Sequence, residues 1–199
     1  MGTAVQNPSA ASCARRARAR AAGYSLLEVV VAMPILALAL GLFLGATGAA
    51  KEMRQVQREN SAVAEEARIV LERMRNEDWS EVWTLYNAIP GDDPGGAGTA
   101  PGNRFSIAGL APPGGAVGDP VGQVFLPAFK HPSLGWQLRE DRTDTLLGLP
   151  RDLSGDEQVD TYNHAADYTV LPVVVKIEWQ GAYGPRELTV HTVMTEYRR

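Results

Sequence analysis

GYSLLEVVVAMPILALALGLFLGATGAA, residues 23–50, carries the strongest instruction in this chain. A single carboxylate, Glu28, opens a run with no other charge as far as Ala50. As a helix at about 1.5 Å per residue, Tyr24–Ala50 would extend roughly 40 Å. That exceeds the ~30 Å hydrocarbon core of a bilayer and leaves room for tilt. A carboxylate in lipid is costly, so Glu28 needs a cation or a set of donors, or a shallow position reaching headgroup water. Pro34 removes one backbone bond and crowds the preceding turn, which predicts a kink near residues 30–34. Ala37, Gly41, Gly45 and Ala49 recur at spacing four, as on a close-packing helix face or simply as small residues in a membrane helix.

The stretch upstream fixes orientation. Residues 1–23 hold Arg15, Arg16, Arg18 and Arg20 and no acid. Such a leader predicts a cytoplasmic N-terminus and a body on the far side of the membrane. A secretory signal places its cleavage site after the apolar core. Here the small residue, Gly23, precedes the core, so a cut after it would discard the arginines and keep the apolar segment. The one cysteine, Cys13, also lies in the leader, and no apolar run precedes it as a lipoprotein signal would require. A body without cysteine forms no disulfide. Taking the leader's four positive charges from the net −4 leaves −8 on residues 24–199, a balance that argues against nucleic acid as a general partner.

Gly23, Tyr24-Ser25-Leu26-Leu27, Glu28 and the following apolar run resemble the start of the type IV pilin-like family, which includes minor pilins and type II secretion pseudopilins. The resemblance implies cleavage after Gly23 by a prepilin peptidase and N-methylation of the new first residue, Tyr24. It implies that Glu28 pairs with the terminal amine of a neighbouring subunit. It further implies a single-pass protein of the cytoplasmic membrane, head outside, joining a pilus or pseudopilus with other pilin-like subunits. A rival reading of the same residues is a signal-anchored protein that does not polymerise and whose head binds a ligand or catalyses a reaction.

Residues 51–79 lack Gly and Pro. Met53, Val56, Asn60, Val63, Ala67, Val70 and Met74 alternate by three and four, forming one stripe on an amphipathic helix that continues the apolar one. The upper half of the stripe is expected on the head's own sheet and the lower half on a neighbour. Trp79, Trp83 and Tyr86 follow at spacings of four and three, as residues closing a core at a helix end. Residues 90–122 contain 16 Gly or Pro and read as connecting loop. Short strands are predicted at 104–110, 123–128 and 134–139, the last with Leu134, Trp136 and Leu138 on one face. Residues 168–179 and 187–196 read as a terminal antiparallel hairpin, with Val173, Val175, Ile177 and Trp179 inward.

The expected fold is therefore α+β: a long N-terminal helix on a small C-terminal antiparallel sheet. Its parts are a leader over 1–23, a transmembrane and assembly helix over 24–50, an amphipathic continuation over 51–89, and a Gly/Pro-rich loop with a β head over 90–199.

Residues 152–163, DLSGDEQVDTYN, carry oxygen ligands at calcium-loop spacing. Asp152, Ser154, Asp156, Asp160 and Asn163 occupy the first, third, fifth, ninth and twelfth places, and Gln158 would offer its backbone carbonyl. Glu157 stands where the sharp turn wants Gly, and Asn163 where a bidentate Glu is usual. The alternative is a solvated acidic turn. No zinc-protease helix motif, phosphate-binding glycine loop or serine elbow occurs. His131, His164 and His191 are far apart and read as surface or sheet residues. No catalytic site is expected.

Overall fold

A computed structural model describes residues 25–196; the cleavage and methylation residues, Gly23 and Tyr24, lie outside them. Two compact units meet between Gly48 and Ala49. The first helix, α1 (Leu26–Asn76), runs for 51 residues through both and continues past Pro34 without a break. Its first turn carries Glu28, and its last turn carries Arg73 and Arg75, which suit the partial charges at the two helix ends. In the first unit Leu26–Leu44 leave their large apolar side chains exposed, Leu27 and Leu42 by about three quarters. The segment is long and apolar enough to cross a membrane.

In the second unit the amphipathic stripe is buried from Val63 upward. Val63, Ala67, Val70, Leu71 and Met74 enter the core, whereas Met53 and Asn60 are exposed and Val56 is half-buried. A 3₁₀ turn (Trp79–Glu81), begun by Asp78 accepting from the Ser80 N–H, leads into the short helix α2 (Val82–Tyr86). Trp83 and Tyr86 are buried and Trp79 packs against the same core, as their spacing predicted.

Four strands form one antiparallel sheet in the order β1 (Arg104–Phe105), β2 (Gly122–Phe125), β5 (Val170–Gly181), β6 (Gly184–Thr195). The terminal hairpin is the dominant element: Val170 to Gly181 pair residue for residue with Thr195 to Gly184. Leu171, Val173, Val175, Ile177 and Trp179 share one face and join α1's stripe in the core. Pro172 and Val174, on the opposite face, are also buried. The loop through Leu147 and Leu149 lies there, and His191 from β6 hydrogen-bonds the Leu146 carbonyl at 3.1 Å. Two covered faces explain the unbroken apolar run LPVVV, where strict alternation would mark a half-exposed strand. Farther along, Lys176 emerges between Glu178 and its cross-strand neighbour Glu187, at 2.6 and 3.5 Å. Gly122 sits opposite Phe105, whose ring leaves no room for a Cβ.

β3 (Phe129–His131) and β4 (Gly135–Gln137) make a separate small hairpin. It corrects one expectation. Leu134 and Trp136 are exposed while Leu138 is fully buried. β4 ends at Gln137 and residues 137–140 are all buried, so alternation does not extend across the junction. The strand expected over 104–110 likewise shrinks to two residues, and Ile107 is buried from a turn. The α+β class stands.

Candidate functional site

Two places are candidates: the start of α1 and the loop between β4 and β5. Glu28 lies exposed in α1's first turn, its N–H bonded to the Ser25 carbonyl at 2.9 Å. Val29, Val30, Val31 and Met33, which follow it, are exposed as well. A carboxylate there is available to a group from outside the chain.

The loop is built around Glu140, a fully buried carboxylate. Its Oε1 accepts the N–H groups of Leu153 and Ser154 at 2.7 and 2.8 Å, and its Oε2 accepts that of Asp160 at 3.3 Å. A buried carboxylate needs such donors. They fix residues 152–160 against the segment after β4. Backbone bonds add to this: His164 N–H to the Leu138 carbonyl at 2.8 Å, and Thr169 and Val170 N–H to the Leu153 carbonyl at 2.8 and 3.0 Å.

Within the acidic loop, Asp152 accepts from the N–H groups of Gly155 and Glu157 at 2.6 and 2.8 Å and from the Ser154 hydroxyl at 3.2 Å. Desolvation works against its charge, but those donors outweigh it and hold its carboxyl below the usual range. Asp156 accepts from the Gln158 N–H at 2.9 Å. Gly155 and Glu157 have φ of 84° and 68°. Glu157 is the only non-glycine residue with positive φ among the described residues, and it occupies the sixth place, where a calcium loop turns sharply. Asn163 directs its amide oxygen to the N–H groups of Leu138 and Ala165, at 2.9 and 3.2 Å. Asp160 Oδ1 accepts the Tyr162 N–H at 2.7 Å and lies 3.0 Å from His164 Nε2.

His164 is the residue that sequence reasoning misplaced. It is buried, 5% exposed, and not a surface or sheet residue. Its Nε2 lies 3.0 Å from Asp160 Oδ1 and 3.7 Å from Glu140 Oε1, and its Nδ1 lies 3.2 Å from Asp167 Oδ1. Burial alone would lower its pKa. Asp160, Glu140 and Asp167 outweigh that and raise it above 6.5. The backbone bond from Tyr162, aided by His164, lowers that of Asp160. The available signal was local: acids stand four before and three after His164, and Glu140 is too remote in sequence to be tied to them. Of the expected calcium ligands, only Asp160 belongs to the Glu140–Asp160–His164 group.

The other histidines stand apart. His131 Nδ1 bonds the Ser133 and Leu134 N–H groups of its own turn, and His191 serves the Leu146 carbonyl.

Comparison with protein-family models, curated proteins and solved structures finds no match to this chain. The architecture, a long helix with an apolar N-terminal part and an amphipathic part packed on a small antiparallel sheet, is compatible with a pilin-like fold.

Proposed function

We propose that this chain is a pilin-like structural subunit, trimmed after Gly23, N-methylated on Tyr24 by a prepilin peptidase, and assembled as a minor component of a type IV pilus or type II secretion pseudopilus. The observation that carries the reading is α1 itself: an apolar, wholly exposed N-terminal part with one carboxylate in its first turn, continuing into a helix whose upper stripe is buried on the head. A membrane gives the apolar part a solvent before assembly, and neighbouring helices give it one afterwards. Glu28 then pairs with the terminal ammonium of a neighbouring subunit, which compensates both charges in a low-dielectric setting. The exposed Met53 and half-buried Val56 suit further packing on a neighbour. Function is mechanical, and no enzymatic step is assigned to the head.

The test is Glu28→Ala, expressed with the host's filament machinery. Membrane insertion persists, since the span becomes more apolar, while incorporation into sheared fibres is lost. Wild-type levels of the variant in fibres would reject the pairing role.

A second reading concerns the acidic loop. We propose that it takes calcium, with Asp152, Ser154, Asp156 and the Gln158 carbonyl as the core of the site and Asp160 and Asn163 at its margin. Support comes from Glu157, which adopts the left-handed backbone that the sixth position needs although it is not glycine. Bound there, the ion would offset the loop's carboxylates and stiffen the connection into β5.

A further inference from the structure

Three carboxylates and one imidazole converge behind the acidic loop, and the calcium reading does not use them as a set. Glu140, Asp160 and His164 each offer a ligand atom, all within 4.8 Å of one another. Three features distinguish the group from a solvated acidic turn. Glu140 is fully buried and His164 is 5% exposed. The three ligands come from two separate chain segments that backbone bonds lock together, including the Leu138 carbonyl holding the His164 N–H. The imidazole is oriented from behind: Asp167 Oδ1 sits 3.2 Å from Nδ1, which leaves Nε2 facing Glu140 and Asp160. A carboxylate on the far nitrogen is the usual outer support of a metal-bound histidine, fixing its tautomer and raising its basicity.

Charge points the same way. Asp160, Glu140 and Asp167 face a single imidazole. Arg139 makes two bonds of 2.7 Å to Asp141 and also acts on Asp160 through space. A divalent ion would give these carboxylates a counter-charge that an imidazole in its neutral, metal-binding form does not. Two carboxylate oxygens and one imidazole nitrogen form a hard-to-borderline set suited to zinc or another first-row divalent ion. A tetrahedral ion with metal–ligand distances of about 2.0–2.2 Å sets its ligand atoms roughly 3.3–3.6 Å apart, so the 3.0 Å separation from Asp160 would open slightly and the 3.7 Å separation from Glu140 would close slightly. Three protein ligands also leave a coordination position for water.

We infer that Glu140, Asp160 and His164 form a binding site for a first-row divalent metal such as zinc, sharing Asp160 with the margin of the acidic loop, with Asp167 as its orienting residue. Metal at this site ties the β4 end to the chain entering β5 and makes the head's longest connection part of its core. The inference rests neither on polymerisation nor on calcium.

The experiment uses the full chain in detergent micelles, carrying Cys13→Ser to remove the one thiol, in calcium-free buffer because Asp160 also borders the acidic loop. Zinc chloride is titrated while heat is recorded by calorimetry and the imidazole nitrogens by long-range ¹H–¹⁵N NMR. One zinc per chain is expected, with His164 Nε2 losing its proton to the metal and Nδ1 keeping its own toward Asp167. His164→Gln abolishes the binding, and Asp167→Asn weakens it by about 10- to 100-fold. The NMR arm reads the unsubstituted site, so it decides even if His164→Gln fails to fold. An imidazole that stays doubly protonated at saturating zinc would overturn the proposal and leave an imidazolium–carboxylate network. So would zinc binding of undiminished affinity in a folded His164→Gln chain.

Discussion

Tyr168→Phe removes one oxygen atom and tests how the head is fastened to the end of the helical region. Tyr168 is buried just before β5, and its ring lies 5.0 Å from that of Trp79. Its hydroxyl donates to the Trp79 carbonyl and accepts the Trp83 N–H at 3.2 Å. The two partners differ in what they lose. The Trp79 carbonyl also accepts the Val82 N–H, so it keeps a bond. The Trp83 N–H lies in the first turn of α2 and has no partner within that helix. Phenylalanine therefore strands one buried donor, at about 1–3 kcal/mol, and deletes one further bond worth about 1 kcal/mol. The expected loss is about 2–4 kcal/mol, or roughly 6–12 °C in Tm at 3 kcal/mol for a unit of this size. Near-ultraviolet circular dichroism of the full chain in detergent would read it, because Trp79 and Trp83 report directly. Burial also pushes the Tyr168 phenol up to about 12 from its ordinary 10. The folded state thus holds a proton that the unfolded state releases, and stability should fall as pH rises from about 10 toward 12, by up to about 3 kcal/mol. Tyr168→Phe should abolish that slope. A loss below about 0.5 kcal/mol, with the alkaline slope retained, would refute the fastening role.

Two other outcomes follow from the loop. Calcium at about ten times its dissociation constant should stabilise the head by about 1.4 kcal/mol, read as a rise in Tm, and Asp156→Asn, which keeps the oxygen toward the Gln158 N–H, should reduce the rise; an unchanged melt would return residues 152–163 to an ordinary acidic turn. In metal-free buffer, the raised pKa of His164 means that its stabilisation is complete below about pH 6.5 and declines as pH climbs through the higher folded value. Glu140, Asp160 and Asp167 supply it, so His164→Gln should flatten the stability profile in that window, and an unchanged profile would exclude the ion network.

Periodicity identified the elements that are long. The stripe at Val63, Ala67, Val70 and Met74 was readable because a helix repeats every few residues, and the terminal hairpin because Gly181, Gly184 and Pro185 separate two strand-like runs. Where a residue's environment comes from elsewhere in the chain, local pattern failed. Leu134 and Trp136 match the period of Leu138 but belong to a projecting hairpin, whereas Leu138 lies past its end. Val174 alternates with the inward residues of β5 yet is buried as well, because the loop around Leu147 lies on its face. His164 and Glu140 are 24 positions apart, and nothing in a single sequence announces that a buried carboxylate will collect the backbone of a distant loop. The calcium spacing was legible, but Glu157 in a left-handed conformation was not, because the residue type disfavours it.

The mature N-terminus is the most direct measurement. Intact-mass and peptide sequencing of the chain, extracted from its native membrane and from sheared fibres, should find it beginning at N-methyl-Tyr24. A fibre-associated or membrane chain that retains Arg15–Arg20 would contradict assembly by the prepilin route.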